Sequence, residues 1–342
     1  MMFNFIIFLF NWNVKLIHKL YGLLEALSGY ERKRSMKCNI CPRKCNADRE
    51  SGKGFCGMGS RPVVARSFLH MWEEPCISGV RGSGTVFFSG CNLKCIFCQN
   101  HEISHGGIGR EIGMAELAGI FLSLRNKGAH NINLVTPTHF VTVIKEALLL
   151  AKRGVPSCET GPEARAEMCR RLDIPVVYNT NGYDSIEALH MLEGEIDIYL
   201  PDLKYISPDM AMEYSGAADY FEIASAAVLE MYRQVGSPDF DENGMLRKGM
   251  IVRHLVLPGH TAETIRILEW IADCLPGVHV SLMSQYIPCY KACGHPTLGR
   301  RLTKYEYEKV LNKFSRLGLN GYVQERDSAS SQYIPDFSRV EF

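Results

Sequence analysis

The sequence predicts an α/β fold, a partial (β/α)6 barrel preceded by a small N-terminal Cys-rich segment. Strand-like and helix-like apolar patterns alternate six times after residue 84, and such alternation produces parallel strands joined by right-handed crossovers. Polar residues follow every predicted strand, which is where β/α barrels build their active sites. The 342 residues, 46% of them hydrophobic, are enough to bury one large core.

The predicted strands are short apolar runs, and the predicted helices carry apolar residues at a helical period. The strands are predicted at residues 85–88, 131–135, 176–178, 196–200, 251–257 and 278–283. The helices are predicted at residues 114–127, 142–152, 185–192, 224–234, 261–274 and 303–317. The partly polar stretch 154–173 is interpreted as an inserted surface loop and helix within one crossover.

The chain divides into three predicted parts. Residues 1–35 form an apolar and helical extension, residues 36–75 a Cys-rich metal-binding segment, and residues 76–342 the core with a C-terminal helical and loop extension. The apolar run at residues 2–10 is about half of the roughly 20 residues that a membrane span needs. We therefore expect no membrane span, and Met36 is an alternative start of translation.

Charge and cysteine content narrow the class of protein. The formal net charge is +1, which gives no electrostatic reason to expect nucleic-acid binding. Seven of the thirteen cysteines fall into two tight clusters. Disulfides typify small secreted domains, so clustered cysteines in a chain of this size favour metal ligation in a reducing compartment. We expect a cytoplasmic protein.

The first of these clusters to consider is the loop after the first predicted strand, which holds Cys91, Cys95 and Cys98. A structural zinc site takes four protein ligands, and a cubane iron–sulfur cluster normally takes four thiolates. Three thiols without a fourth nearby in sequence therefore suggest a [4Fe–4S] cluster with one iron left open. An open metal position is a reaction site.

A second cluster precedes the predicted barrel. Cys38, Cys41, Cys45 and Cys56 are interspersed with glycines, which let a backbone wrap closely around a metal. Four thiols this close predict a second metal site that takes either structural zinc or an auxiliary iron–sulfur cluster. The spacing does not separate these metals, and free thiols in a turn-rich segment are the remaining alternative.

Three polar motifs follow the second, third and fourth predicted strands: Thr136-Pro-Thr-His139, Asn179-Thr-Asn-Gly182 and Asp202-Leu-Lys204. The first motif also suits helix capping, the second a turn and the third a plain ion pair. Cys289 and Cys293 follow the sixth strand. They either approach the mouth of the metal site or are ordinary thiols in a loop.

The cysteine loop, with Phe97 just before its last cysteine, resembles that of the radical S-adenosylmethionine (SAM) superfamily. Asn179-Thr-Asn-Gly182, Asp202-Leu-Lys204 and Val256-Leu-Pro-Gly259 occur in the order seen in pyruvate formate-lyase activating enzymes. The chain is similar to a largely uncharacterised subgroup related to these activating enzymes. Three stretches carry this similarity: the four-cysteine segment, Asn133-Leu-Val-Thr-Pro-Thr-His139 and Tyr199-Leu-Pro-Asp-Leu-Lys204. The resemblance covers residues 38–337.

In that superfamily the open iron binds SAM, and one electron cleaves SAM into methionine and a 5′-deoxyadenosyl radical that abstracts hydrogen. The resemblance implies Cys91, Cys95 and Cys98 as iron ligands, with Asp202 and Lys204 as candidates beside the SAM carboxylate or the reacting centre. It implies that the cofactor-binding residues are Phe97, Asn100, Thr136, Thr138, Asn179 and Asn181. It also implies an electron donor such as flavodoxin or ferredoxin. One protein substrate that it suggests is a glycyl radical enzyme, which this chain would activate.

One motif departs from the family pattern. Typical members carry a Gly-Gly-Glu-Pro-like turn after the second strand, which holds the SAM amino group, whereas this chain has Thr136-Pro-Thr138. The amine must then be held by threonine hydroxyl and backbone carbonyl groups. The main prediction is an enzyme, an oxidoreductase or a lyase. This departure favours an alternative, which is a metal-stabilised, non-catalytic binding or regulatory protein. A simple zinc protein that uses both cysteine groups is the other alternative.

Overall fold

A computed structural model describes residues 37–154 and 171–324 together with Phe337. The predicted N-terminal extension and residues 155–170 of the predicted insertion lie outside the described residues, as does most of the predicted C-terminal extension. The division into three parts therefore stays a prediction.

One open sheet organises this part of the chain, and it runs in the order β10-β9-β8-β6-β5-β4-β2-β1-β3, with β7 paired to β8. The strands are β1 Val63–His70, β2 Ser83–Phe88, β3 Arg110–Glu111, β4 Ile132–Val135, β5 Val176–Thr180, β6 Ile198–Pro201, β7 Asp239–Phe240, β8 Leu246–Leu255, β9 His279–Met283 and β10 Asn320–Val323. All neighbours from β2 to β10 along this order are parallel. The sheet does not close, and the predicted partial barrel is confirmed.

Helices fill the crossovers between these strands. They are α1 Pro75–Ser78, α2 His101–Ser104, α3 Met114–Asn126, α4 Val141–Arg153, α5 Ile186–Met191, α6 Pro208–Ser215, α7 Tyr220–Val235, α8 Thr261–Cys274 and α9 Lys304–Arg316. Short 3-10 turns cover Thr138–Phe140 and Tyr290–Gly294. The apolar faces of α3, α4, α7, α8 and α9 bury the main core against the sheet. No helix among the described residues combines the length and apolarity that crossing a bilayer requires.

The six predicted strands and six predicted helices are all present, and the largest difference is at the start of β8. This strand begins at Leu246 rather than at the predicted residue 251. Its polar first half is paired with β7, where Asp239 lies opposite Lys248. A strand pair supplies backbone hydrogen bonds to a segment whose side chains alone do not indicate a strand.

The sequence did not indicate β1, which pairs antiparallel with β2 and with β3. The chain then packs against one face of the sheet as α1. Cys76 and Ile77 of α1 pack there against Val177, Ile198 and Leu200. Because side chains alternate between the two faces of a strand, Val177 and Leu200 lie on the same face of the sheet as Asn179 and Asp202 further along the chain.

The strand register brings the carboxyl ends of the central strands level. Val135, the last residue of β4, lies opposite Asn179, and Thr180 lies opposite Pro201, the last residue of β6. Residues just beyond these positions therefore meet at one rim, as they do in β/α barrels.

Candidate active site

A cavity of about 270 Å³ opens at this rim. Nearly all the residues predicted for the cluster and cofactor site line it, and they come from the ends of four neighbouring strands and the loops that follow them. They are Cys91, Cys95, Phe97, Cys98, Asn100, Thr136, Asn179, Asn181, Asp202 and Lys204. Residues as far apart in sequence as Cys91 and Lys204 therefore share one enclosed space.

The cysteine loop leaves β2 through a turn that only glycine fits. Gly90 has φ +83°, and a Cβ there would lie 2.8 Å from the carbonyl oxygen of Cys56. Both the left-handed backbone and the close approach exclude larger residues. The turn holds the loop against the four-cysteine segment, where the N–H of Cys91 donates to the Cys56 carbonyl at 3.4 Å.

The three thiols of this loop all have polar neighbours. The partners are Asn181 Nδ2 at 3.3 Å and the Leu93 N–H at 3.4 Å for Cys91, Ser215 Oγ at 3.0 Å for Cys95, and Ser104 Oγ at 3.2 Å for Cys98. Hydrogen bonds of this kind stabilise a thiolate, which is the form that binds metal. The donor set therefore fits an iron–sulfur cluster with three protein ligands.

Burial opposes ionisation of Cys91 and Cys98 while no cation is bound to them. It raises the pKa of Cys91 to about 12 and that of Cys98 to about 11, and the neighbouring Cys95 adds to both shifts. Bound metal reverses this preference, because a coordinated thiol is deprotonated. Within residues 37–154 and 171–324, no three His, Cys, Asp or Glu side chains are arranged to hold a single metal ion. A cubane instead spreads its thiolates over separate irons.

A network of four charged side chains lines one wall of the cavity. Asp202 Oδ2 lies 2.7 Å from Lys204 Nζ, and Asp202 Oδ1 lies 2.9 Å from Arg253 Nη2. The other end of the guanidinium reaches Glu73 at 3.4 Å. Asn179 bridges the network, because its Oδ1 accepts from Arg253 at 2.6 Å and its Nδ2 donates to Glu73 at 3.4 Å.

The pKa values of this network follow from burial and pairing. Burial alone would raise the pKa of Asp202, but Arg253 and Lys204 outweigh it and lower that pKa. Burial would lower the pKa of Lys204, yet Asp202 raises it. Burial does raise the pKa of Glu73, against the attraction of Arg253. Asp202, Lys204 and Arg253 are therefore charged at neutral pH.

The two predicted threonines take different positions. Thr136 lines the cavity with φ +58°, a conformation that is rare for a β-branched residue. Its N–H donates to the Asn179 carbonyl at 2.9 Å. Thr138 is buried behind this turn, with its hydroxyl 3.5 Å from that of Thr180, and is not among the residues that line the cavity. Its role in cofactor binding stays a prediction.

Sequence reasoning missed two charged residues of the site, Glu73 and Arg253. Arg253 had a visible signal, because it is a cation that, with His254, interrupts the apolar run 251–257. Glu73 had none, since it enters the cavity from the unpredicted connection after β1. Cys289 contacts the outer side of the cysteine loop, where its thiol lies 3.2 Å from the Phe97 carbonyl. Neither Cys289 nor Cys293 lines the cavity.

The second cysteine cluster lies directly against the first. The Cys38 and Cys45 thiols hydrogen-bond to each other, and the Cys45 and Cys56 sulfurs would each lie 3.4 Å from a Cβ at Gly54. Arg43 ties this segment to the cysteine loop through a 2.7 Å bond to the Asn92 carbonyl.

Backbone N–H groups point at three sulfurs of the second cluster. The donors are Arg43 for Cys41, Ala47 and Phe55 for Cys45, and Met58 for Cys56. Amide bonds to sulfur stabilise thiolates, but burial raises the pKa of Cys41 to about 11 and also raises that of Cys56. The four thiols, like the rest of the described residues, are not arranged to hold a single metal ion, so the second metal site stays a prediction.

Comparison with known proteins decides the family. The family model described as the Radical SAM superfamily matches residues 85–271, more than half of the chain. The chain belongs to the radical SAM superfamily. The match contains the cysteine loop and every polar motif through Arg253, so the resemblance suggested by the sequence is confirmed. Membership implies a [4Fe–4S] cluster, SAM and a reductant.

Individual relatives add less about the reaction. An uncharacterised protein of Methanocaldococcus jannaschii is 32% identical over 296 residues, which cover 83% of this chain and 75% of the relative. A domain of pyruvate-formate lyase-activating enzyme from Bacteroides vulgatus shares 12% identity at a TM-score of 0.34, covering 50% of this chain and 99% of that domain. A radical SAM methyltransferase from Sphaerobacter thermophilus shares 14% identity at a TM-score of 0.47, covering 73% and 69%.

Proposed function

We propose that this radical SAM protein is an enzyme that cleaves SAM reductively and uses the resulting radical to abstract hydrogen from a second substrate. The observation that carries the proposal is the convergence of three hydrogen-bonded thiols and the charged network on one cavity. When bound, the cluster supplies the electron that cleaves SAM into methionine and a 5′-deoxyadenosyl radical.

The chain's own residues supply positioning and exclusion of water. Cys91, Cys95 and Cys98 hold three irons. Lys204 and Arg253 are cations facing the cavity, and they suit the SAM carboxylate because charge-assisted bonds to a carboxylate are strong. Phe97 is largely buried at the cavity wall and offers a ring face or edge to the adenine.

The altered turn after β4 is compatible with this function. Thr136 has the left-handed backbone that glycine ordinarily adopts, so the turn keeps the shape of a glycine turn despite its different side chain. In this proposal the Thr136 carbonyl and hydroxyl groups hold the SAM amine, and Asn179 and Asn181 hold the rest of the methionine or ribose moiety. The preserved shape of the turn therefore removes one reason to prefer a non-catalytic binding protein.

Detection of 5′-deoxyadenosine tests the proposal. The protein is purified without oxygen, reconstituted with iron and sulfide, reduced with dithionite and incubated with SAM. We expect 5′-deoxyadenosine from the unaltered protein and from Cys274→Ala, which removes a thiol at the end of α8, but none from Cys91→Ala. A fully loaded cluster that never cleaves SAM would instead support the binding-protein alternative.

For the substrate we propose a glycine Cα of a partner protein, as in the activating enzymes that the motifs resemble. A short glycine-containing peptide deuterated at Cα would transfer deuterium to 5′-deoxyadenosine. Deuterium retention in the peptide, with continued SAM cleavage, would point to a small-molecule substrate instead.

We also propose that Cys38, Cys41, Cys45 and Cys56 hold a second metal, zinc or an auxiliary iron–sulfur cluster. The amide-to-sulfur bonds support this proposal. Metal and sulfide analysis of Cys41→Ala beside Cys91→Ala separates the choices. Loss of zinc alone indicates a structural site, and loss of about four irons and four sulfides indicates a cluster. Unchanged metal content in Cys41→Ala would contradict the proposal.

A cytoplasmic location is the remaining part of the proposal. All eleven cysteines among the described residues are free thiols, which suits a reducing compartment. Fractionation of the native cells would test it.

A further inference from the structure

One wall of the cavity comes from the end of β1 and the connection that follows it. Glu73 lines this wall, and so do His70 and Trp72, which lie just before it in the sequence. Phe87 of β2 lines the cavity beside them, and its ring meets the His70 ring edge to face with the centres 6.0 Å apart. Trp72 is 63% exposed. The wall therefore combines a carboxylate with aromatic side chains, and both kinds of group attract cations.

The Glu73 carboxylate has room for a further hydrogen-bond donor. Its shortest bond is to Asn133 Nδ2 at 3.0 Å, whereas Asn179 Nδ2 and Arg253 Nη1 each lie 3.4 Å away. Distances of 3.4 Å exceed the usual range for N–H···O bonds, and an ionised carboxylate offers about four lone-pair sites. Glu73 can therefore accept from a ligand without giving up its bond to Asn133.

Carboxylates outnumber cations in the network to which Glu73 belongs. Glu74 is buried next to Glu73 in the sequence, and both carboxylates act on Arg253. Asp202 is the third carboxylate of this network, and Lys204 is its second cation. Glu74 Oε2 accepts no hydrogen bond from the described residues, and burial raises the pKa of Glu73 and of Glu74. A bound cation would supply the missing counter-charge.

Glu73 lies deeper in the cavity than the thiols. Asn181 Nδ2 is 3.3 Å from the Cys91 sulfur, so Asn181 marks the level of the cysteine loop. Asn179 comes two residues earlier, which is about 7 Å back along the strand direction. Asn133 of β4 lies two positions further back still. Because Glu73 bonds to Asn133 and Asn179, it faces the part of the cavity that the proposed function leaves to the second substrate.

We propose that Glu73 and Trp72 form a subsite for an alkylammonium group of the second substrate. The inference rests on the proposed function, because it requires that SAM and a second substrate share this cavity. Since that substrate is proposed to be a glycine of a partner protein, the alkylammonium is a lysine side chain near the glycine. The ammonium group donates to the Glu73 carboxylate, and its methylene stem lies against the aromatic wall.

Two capped tripeptides are the probes, Lys-Gly-Lys and norleucine-Gly-norleucine, because norleucine has the four side-chain carbons of lysine without the ammonium group. Their affinities are measured by calorimetry on the full chain, reconstituted with iron and sulfide and saturated with SAM. No reductant is present, so no SAM is cleaved. Glu73→Gln keeps the shape of the side chain and removes its charge. The matched control is Glu187→Gln, which changes an exposed carboxylate on α5 outside the cavity.

We expect the lysine peptide to bind the unaltered protein about tenfold more tightly than the norleucine peptide, because charge-assisted bonds to a carboxylate are strong. Glu73→Gln should abolish this preference at unchanged iron content, and Glu187→Gln should retain it. Equal affinities in the unaltered protein, no binding of either peptide, or a preference that persists in Glu73→Gln overturns the subsite. Should Glu73→Gln fail to load iron, Trp72→Leu decides: a preference reduced about threefold supports the subsite, and an unchanged one overturns it.

The amine of SAM is a second ammonium group in the cavity, so the affinity of Glu73→Gln for SAM is measured as well. It should stay the same or rise, because glutamine no longer competes for Arg253. A fall of about tenfold would mean that Glu73 binds the SAM amine, and would overturn the substrate subsite. Absence of 5′-deoxyadenosine when dithionite reduces the unaltered protein overturns the proposed function, and the peptide comparison still decides the subsite.

Discussion

Asp202→Asn tests whether the buried charge network holds the carboxyl ends of two strands together. Asp202 follows β6 and forms an isolated parallel bridge with Arg253 of β8. Its carboxylate accepts from Lys204 at 2.7 Å and from Arg253 Nε at 3.0 Å. Asparagine preserves the shape of the side chain but leaves Lys204 without its carboxylate partner and Arg253 with Glu73 at 3.4 Å.

The expected loss of stability follows from these contacts. The side chains of Asp202, Lys204 and Arg253 are 14–20% exposed, so solvent screens their interactions only in part. Hydrogen bonds to charged groups contribute about 1.5–3 kcal/mol each, and the retained amide oxygen recovers some of this, so we expect a loss of about 3 kcal/mol. An unfolding entropy of about 2.1 cal/mol/K per residue gives about 0.7 kcal/mol/K for 342 residues, hence a Tm lower by about 4 °C.

Thermal unfolding of the metal-free protein at pH 7 measures this change. The matched control is Glu193→Gln, which removes an ion pair with Arg233 of the same 2.7 Å length but with both side chains about half exposed. An exposed pair contributes about 1 kcal/mol or less, so the control should shift the Tm by about 1 °C. Equal shifts in the two variants would refute the argument that burial makes the Asp202 network strong.

Three further predictions concern the same rim. Gly182 has φ +82°, and a Cβ there would collide with the Asp202 carbonyl and lie 3.1 Å from the Tyr220 hydroxyl. Gly182→Ala should therefore lower the free energy of unfolding by about 3 kcal/mol, as measured by thermal melts. The control is Gly236→Ala, because Gly236 has φ +72° but a Cβ there would meet nothing within 4 Å. It should lower the free energy of unfolding by about 1 kcal/mol. Equal losses of stability in the two variants would contradict the predicted collision at Gly182. Thr136→Gly removes about 1–2 kcal/mol of left-handed backbone strain from the folded state and adds about 0.5–1 kcal/mol of conformational freedom to the unfolded state. The Tm should therefore stay unchanged or rise by about 1 °C. A fall of several degrees would mean that the threonine side chain holds the turn. Because the folded pKa of Asp202 is lowered, its stabilisation is complete above the unfolded pKa of about 3.9 and is lost as pH falls through the folded pKa. Denaturant titrations should therefore show a constant gap between the unaltered protein and Asp202→Asn from about pH 5 to 8 that narrows below about pH 4, and a gap that widens on acidification would contradict this sign.

The sequence predicted the parts of the site that local pattern encodes. The Cys91, Cys95 and Cys98 spacing is local, because the three candidate ligands lie within a single loop. The parallel strands were visible because a strand buried on both faces is a continuous apolar run. Asp202 and Lys204 were visible as candidates because each follows such a run, and the ends of parallel strands meet at one rim.

Contacts between distant segments decided the rest. Glu73 joins Arg253 across 180 residues, and nothing in either local sequence indicates its partner. The backbone at Thr136 and the orientation of Thr138 depend on neighbours, since Thr136 bonds to Asn179 of β5 and Thr138 turns toward Thr180. The strand β1 forms because β2 offers a free edge, and its own side-chain pattern is mixed.

The sequence by itself therefore determined the family, the cysteine loop as the candidate metal site and the alternation of parallel strands with helices, because each is encoded within short stretches. Tertiary structure alone decided which charges face the cavity and which of the two threonines lines it. Pairing energies between side chains depend on distance and burial, and both are fixed only when remote segments pack together.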